Sequence, residues 1–525
     1  MDAARDAFYH IYDNDEPSNR VDDILEQLYL HPLSITLLAT VAQNNQWDTE
    51  RLTREWKKQR SVMPTLDTKH DKSLAATIEL SLTCSIFQDL GPDARELLGV
   101  VAFFPQGVDE GNLDWLFPTV SDRSVIFDSF CTLSLAYRSD GFITMLAPVR
   151  DYLSPENPKS SPLLCAMKDR YFTRLTMETD PNTPELGEAQ WIRSEDVNIE
   201  HLLDVFTSTD ETSDKAWDAC GNFMRHLFLY KPRLVVLGPK CEALPDDHRS
   251  KPECLLRLSQ LFGAVGNHLE RKRLLGHVLG LCEELEDDSK VARTLLSLCE
   301  TNELLGFYDE GMEQAVKAMD IYERLGNPAM MGFSMGLLAL VLRSEDQSAA
   351  AEQAASGALE ILRESGDKWE LCGCHRAVGK MYHFRGEDEK ARENFEAALG
   401  IASSLNMPDQ LFSAHYYLAL LSFDEGRLDD ADHHVKQAQL SAVHNEYGLG
   451  RTMEVQATVW YKQGRLEEAS SEASRAVDVY EKFGATQDAE GCRQLLEMIK
   501  AEMEGSDDGA RVLVSSWEQS TCRVR

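Results

Sequence analysis

From residue 252 to 485, apolar residues recur at helical spacing, and single turn residues interrupt the pattern at regular intervals. The stretch FRGEDEKARENFEAAL, 384–399, shows the unit: small residues stand at Gly386, Ala391 and Ala398, with Gly379 just upstream. The turn positions Gly266, Gly306, Asp346, Gly386, Gly426 and Gly464 are separated by 40, 40, 40, 40 and 38 residues. Seven residues before the turn stand Ala339, Gly379, Ala419 and Ala457; five after it stand Gly311, Ala351, Ala391, Ala431 and Ala469; twelve after it stand Ala318, Ala358, Ala398, Ala438 and Ala476. A fixed period with a turn between two apolar-periodic segments predicts stacked helix pairs. Six pairs fit, and TQDAEGCRQLLEMIKAEMEG, 486–505, reads as a terminal capping helix.

Small residues at those offsets let the two helices of a pair approach closely, while Phe395, Val435 and Tyr382 fill the space between pairs. The run Gly379, Tyr382, Gly386, Ala391, Phe395, Ala398 resembles the tetratricopeptide (TPR) consensus in order and spacing. The period of about 40 exceeds the standard 34, so the repeat resembles the longer variant of regulatory proteins. Two departures stand out: Arg271 where the first repeat needs a small residue, and Asp346 for the third turn glycine. The resemblance implies a superhelix with the first helix of each pair on a concave face that takes a partner peptide or helix. By repeat position that groove should expose Arg376, Lys380, His383, Tyr416, Arg451, Glu454, Tyr461 and Lys462. Cations beside aromatics suit an acidic or amphipathic segment. The same positions also read as ordinary solvated helix residues.

Before residue 250 the pattern changes. LEQLYLHPLSITLLATVAQ, 25–43, places Pro32 at the first turn of an apolar helix, where its missing N–H is not needed. LSLTCSIFQDLGPDARELLGVVAFFP, 80–105, reads as two helices separated at Gly91 and Pro92. LSLAYRSDGFITML, 133–146, reads as two short strands around a Ser-Asp-Gly turn. Helices followed by a small hairpin suggest a winged helix.

This order resembles the carboxy-terminal part of NB-ARC-type STAND nucleotide switches, especially fungal NLR-like proteins with TPR sensors. DAARDAFYHI followed by HPLS resembles the first helical ARC subdomain with its GLPL motif, and TMLAPVRDYL, 144–153, stands in the place of the MHD motif. The resemblance implies that Pro32 takes the place of the proline packed near adenine. Leu146 stands for the phosphate-contacting histidine and Ala147 for the aspartate, so the usual phosphate sensor is absent. The expected organisation is an ARC-like helical subdomain at 1–75, a winged-helix-like domain at 78–155, a helical connector at 156–250, the TPR solenoid at 252–505 and a flexible tail at 506–525. The fold class is mainly α, with one small hairpin.

Composition narrows function further. Lys plus Arg total 53 against 88 Asp plus Glu, a formal charge of −35, which repels phosphate backbones and anionic membrane surfaces. Arg225 to Arg273 is richer in cations, but interleaved acids make it a mixed solvated surface. No apolar run approaches the roughly 18 residues of a membrane span, and the acidic start does not resemble a signal or transit peptide. Twelve cysteines without paired spacing suit a reducing, cytoplasmic setting. Cys372 and Cys374 diverge by about 200° on a helix, so with His375 they do not close on a metal.

Phosphate-loop and zinc-protease motifs are missing. GCHRAVGKM, 373–381, has one residue too many between its glycines for a phosphate-binding loop, and Met381 where a hydroxyl must hold magnesium. There is no H-E-x-x-H. The family's nucleotide-binding core should lie upstream of Met1. The expectation is a non-enzymatic scaffold or sensor without a cofactor, binding a protein or peptide on the concave face, with self-association left open and neither nucleic acid nor membrane as partner. The alternative is an ATP/ADP-dependent STAND switch acting through Pro32 and residues near Arg150, with its nucleotide-binding core outside this chain.

Overall fold

Helix caps and turn chemistry set the architecture. In the computed structural model the described residues are 1–15, 17–62, 69–177, 186–207, 214–230, 233–342, 347–442, 446–483 and 485–504. The chain divides into two compact units, Met1–Ala219 and Cys220–Arg525.

The first unit opens with α1 (Asp2–Tyr9), α2 (Asn19–Gln27), α3 (Pro32–Asn44), α4 (Thr49–Val62), α5 (Lys69–Thr83), α6 (Ser85–Gln88) and α7 (Ala94–Phe103). Pro32 begins α3, and the His31 Nδ1 caps it by accepting from the Ser34 N–H at 3.4 Å. Ile35, Leu37, Leu38, Val41 and Ala42 are all buried, so α3 is the core helix against which α1 and α5 pack. Strand β1 (Val108–Asp109), α8 (Leu113–Leu116), α9 (Arg123–Thr132), β2 (Tyr137–Ser139), β3 (Phe142–Thr144) and α10 (Ala147–Leu153) follow. Asp140 and Gly141 both have positive φ, 52° and 83°, the conformation a two-residue hairpin turn needs. The sheet is antiparallel in the order β1-β3-β2, one strand more than the predicted hairpin. Gly107 lets β1 in: a Cβ there would lie 2.1 Å from the Ile143 carbonyl oxygen. Helices α11 (Pro162–Thr176), α12 (Leu186–Ser194) and α13 (Asp196–Phe206) lead to α14 (Asp214–Tyr230), within which the two units divide.

The second unit continues through α15 (Gly238–Ala243) into the helix pairs. These are α16 (Lys251–Ala264) with α17 (His268–Glu284), α18 (Asp288–Leu305) with α19 (Tyr308–Arg324), α20 (Pro328–Val341) with α21 (Ser348–Ser365), and α22 (Lys368–Phe384) with α23 (Asp388–Ser404). The last two are α24 (Pro408–Asp424) with α25 (Leu428–Ser441) and α26 (Glu446–Lys462) with α27 (Leu466–Lys482), closed by α28 (Thr486–Met503). Each first helix packs on its own partner and on the first helix of the next pair from α18 to α28, which is TPR-like stacking. The solenoid is therefore present as predicted.

The predicted small positions are buried; Ala391, Ala431 and Ala469 have no exposed surface. At Gly379 a Cβ would lie 2.6 Å from the Phe395 ring, so only glycine admits that ring, which stacks on Tyr417 with centroids 5.3 Å apart. The turn glycines 266, 306, 386, 426 and 464 all have φ between 69° and 80°. A second left-handed series, at Glu286, Gly326, Gly366 and Asn406, recurs every 40 residues between pairs. Asp346 and the tail 506–525 lie outside the described residues. Arg271 fits the first repeat because Gly263 faces it: a Cβ there would meet the Arg271 Cδ at 2.7 Å.

Candidate functional site

The predicted groove residues lie on α22, α24 and α26, the first helices of their pairs. The superhelix is tight enough that the α16–α17 turn meets α26: a Cβ on Gly266 would fall 2.3 Å from the Tyr447 hydroxyl. The predicted exposed groove is consequently corrected in part. Lys380 and Tyr416 are buried, at 7% exposure each. Arg376, His383, Arg451, Glu454 and Tyr461 are half-buried, and only Lys462, at the end of α26, is exposed. The reason is curvature, which brings helices two and more repeats apart into contact, something repeat offsets alone do not contain.

The chemistry on this face is a column of charges. The Lys380 ammonium donates to Glu303 Oε2 of α18 at 2.7 Å, both side chains under 10% exposed. Burial disfavours the ammonium, yet the Glu303 carboxylate outweighs it and holds the Lys380 pKa above its ordinary value. Arg376 on α22 and Arg271 on α17 approach the same carboxylate, Glu300 of α18, at 3.8 and 3.6 Å. The Arg451 guanidinium lies over the Tyr416 ring, 4.3 Å from its centroid. Glu454 accepts from the Tyr480 hydroxyl at 2.7 Å, and burial pushes its pKa up to about 7. His383 Nε2 lies 3.5 Å from Asp424. Tyr461 packs beside Ala457 and Ala469 in the last core cluster.

Sequence reading missed Arg271, Glu300, Glu303 and His268. Arg271 was visible as a repeat violation; its partners were not, since no local spacing joins residues 271, 300 and 376.

In the first unit, Pro32 starts α3 as predicted and is exposed. Leu146 caps α10 and is 47% exposed, while Arg150 donates to the Pro105 carbonyl at 3.4 Å. A pocket of about 290 Å³ is lined by Glu110, Asp114, Asp128 and Arg138, whose guanidinium already pairs with Glu110 and Asp128. His375 Nδ1 is 2.8 Å from Asn394 Oδ1 and the Cys372 thiol donates to the Ala398 carbonyl at 3.4 Å, two unrelated partners. Among the described residues no three His, Cys, Asp or Glu side chains are placed to hold a metal ion. Among the same residues no helix is long and apolar enough to cross a membrane.

No protein-family model matches the chain, and no curated protein matches it. Solved structures do. The chain is similar to a STAND protein (signal transduction ATPase with numerous domains) with a tetratricopeptide repeat sensor from Pyrococcus horikoshii, at 14% identity and a TM-score of 0.47, over 99% of this chain and 71% of that one. It is similar to a Rap protein complexed with competence and sporulation factor, at 17% identity and a TM-score of 0.41, over 65% of this chain and 98% of that one. It is also similar to aspartyl phosphate phosphatase F from Bacillus subtilis, at 13% identity and a TM-score of 0.34, over 89% of this chain and 95% of that one.

Proposed function

We propose that this chain is a non-enzymatic interaction protein of the cytoplasm whose helix pairs hold a partner polypeptide on the inner face of the superhelix. The observation that carries the reading is the convergence of Arg376 and Lys380 from α22 and Arg451 from α26, two first helices two pairs apart, on one inner face. Fixed cations and aromatic rings on a preformed surface give a bound chain its orientation. In this reading the first unit plays the part that the regulatory ARC and winged-helix modules play in STAND receptors. Co-precipitation with the full chain tests the proposal. The variant Arg376→Glu/Arg451→Glu should lose partners that the unaltered chain retains. Full retention by a variant with native circular dichroism would remove the inner face from consideration.

A nucleotide-dependent switch is the second reading, favoured by Pro32 at the start of a core helix followed in order by the small sheet and α10. Calorimetry with ATP and magnesium separates the two, since saturable binding belongs to the switch alone.

A further inference from the structure

The inner face of the second unit carries more positive charge than it neutralises. Arg271 and Arg376 share the single Glu300 carboxylate at 3.6 and 3.8 Å, outside hydrogen-bonding range. The Nε–H of each guanidinium is buried and meets no acceptor. Glu303 is engaged by Lys380. Among the described residues Arg451 has no carboxylate at ion-pair distance, and it rests on Tyr416. Arg271, Arg376, Lys380 and Arg451 thus face the carboxylates of Glu300 and Glu303, with Glu454, whose pKa burial pushes up to about 7, beside Arg451, in a chain whose formal charge is −35.

Two neutral groups register the same field. The His268 pKa is lowered to about 4 by burial, then by Arg271 and Arg451, and its Nδ1 is buried without a partner. At Tyr417, burial pushes the phenol up, but Lys380, Arg451 and Arg376 together outweigh it and hold it below its ordinary value. Helices from the first, fourth, fifth and sixth pairs therefore surround one electropositive centre. Buried guanidinium donors left unmade are costly, and an anion of matching fork geometry relieves that cost.

We propose that this centre is a receptor for a carboxylate of a bound peptide, gripped by Arg271 and Arg376 in competition with Glu300, with Arg451 supplying further attraction. The proposal rests on the reading of the inner face as a polypeptide site, and it names the group recognised there. A carboxylate fits because the two guanidiniums already flank one. Glu300 is the internal occupant, held too loosely for hydrogen bonds and so displaceable. The carboxylate can come from an acidic side chain or from a peptide C-terminus.

Fluorescence polarisation on the full chain distinguishes these sources with three labelled probes: an amidated oligoglutamate, an oligoglutamine with a free C-terminus, and an amidated oligoglutamine. Binding of the first alone assigns side chains, and binding of the second assigns the terminus; the third should not bind. Arg271→Gln and Arg376→Gln should each weaken the binding probe by roughly tenfold or more, the scale of one charge-assisted hydrogen bond. Glu300→Gln should tighten it, an outcome that loss of folding cannot imitate. Binding of all three probes alike, binding of none, or unchanged or weaker affinity in Glu300→Gln overturns the proposal. If no probe binds while Arg376→Glu/Arg451→Glu still loses its protein partners, the carboxylate site falls and the inner face stands.

Discussion

Single residues decide how closely helices approach and which charges can be buried. Gly379 and Phe395 show the first. Gly379→Ala places a methyl 2.6 Å from the ring, and Phe395 is fully buried with no room to withdraw, so the variant should lose about 1 to 3 kcal/mol in urea unfolding. Glu195 shows the second. It is fully buried, accepts from Asn198 Nδ2 at 2.8 Å and lies 3.3 Å from the Tyr171 hydroxyl. Burial, with Asp109 adding to it against Asn198, Tyr171 and Arg174, pushes its pKa up to about 7. A folded-state pKa above the unfolded one means the native protein holds the proton more tightly. The stabilisation is complete below about pH 4.5 and is lost as pH rises through 7. Glu195→Gln should therefore gain about 3 kcal/mol on the unaltered chain between pH 4 and pH 8, measured as the difference between the two stability profiles. An unchanged difference would mean that Glu195 is solvated in the native state. The glycine was legible in the sequence because it belongs to a repeat. Glu195 was not, since its partners are set by packing of α11 and α13.

At the scale of elements, turns carry the repeat. The sequence reading found the turns inside the pairs because glycine marks five of six. It missed the series between pairs, where glycine appears only at 326 and 366 while Glu286 and Asn406 adopt φ of 51° and 50°. An L-residue in that conformation is strained unless its side chain bonds locally, which asparagine does better than glutamate. Glu286→Gly should then raise stability by about 1 kcal/mol, whereas Gly326→Ala, at φ 66°, should lower it by about as much. Opposite signs at equivalent positions separate backbone strain from side-chain contacts, and equal signs would reject the account. The hairpin was legible from Asp140 and Gly141. Its third strand was not, because two residues, Val108 and Asp109, are too few to show an alternation.

At the scale of the molecule, an ordinary solenoid joins each repeat only to its neighbours and unfolds as a sum of local terms. This one has longer ties. Lys380 of the fourth pair reaches Glu303 of the second, 77 residues away, and the first turn meets Tyr447 of the sixth. No sequence period encodes such contacts, because they depend on the pitch of the superhelix, which small rotations between successive pairs add up to set. Their energetic signature is specific. Lys380→Met leaves Glu303 buried without its cation and should cost about 3 to 5 kcal/mol, whereas Lys380→Met/Glu303→Leu, which removes both charges, should recover most of that loss. Urea unfolding followed by circular dichroism measures both. If the single variant costs under about 1 kcal/mol, the pair behaves as a surface ion pair and the superhelix is open in solution. If the double variant recovers stability but unfolds in two steps where the unaltered chain unfolds in one, the pair serves to couple repeats rather than to hold them, and the inner face can yield to a ligand without the stack coming apart.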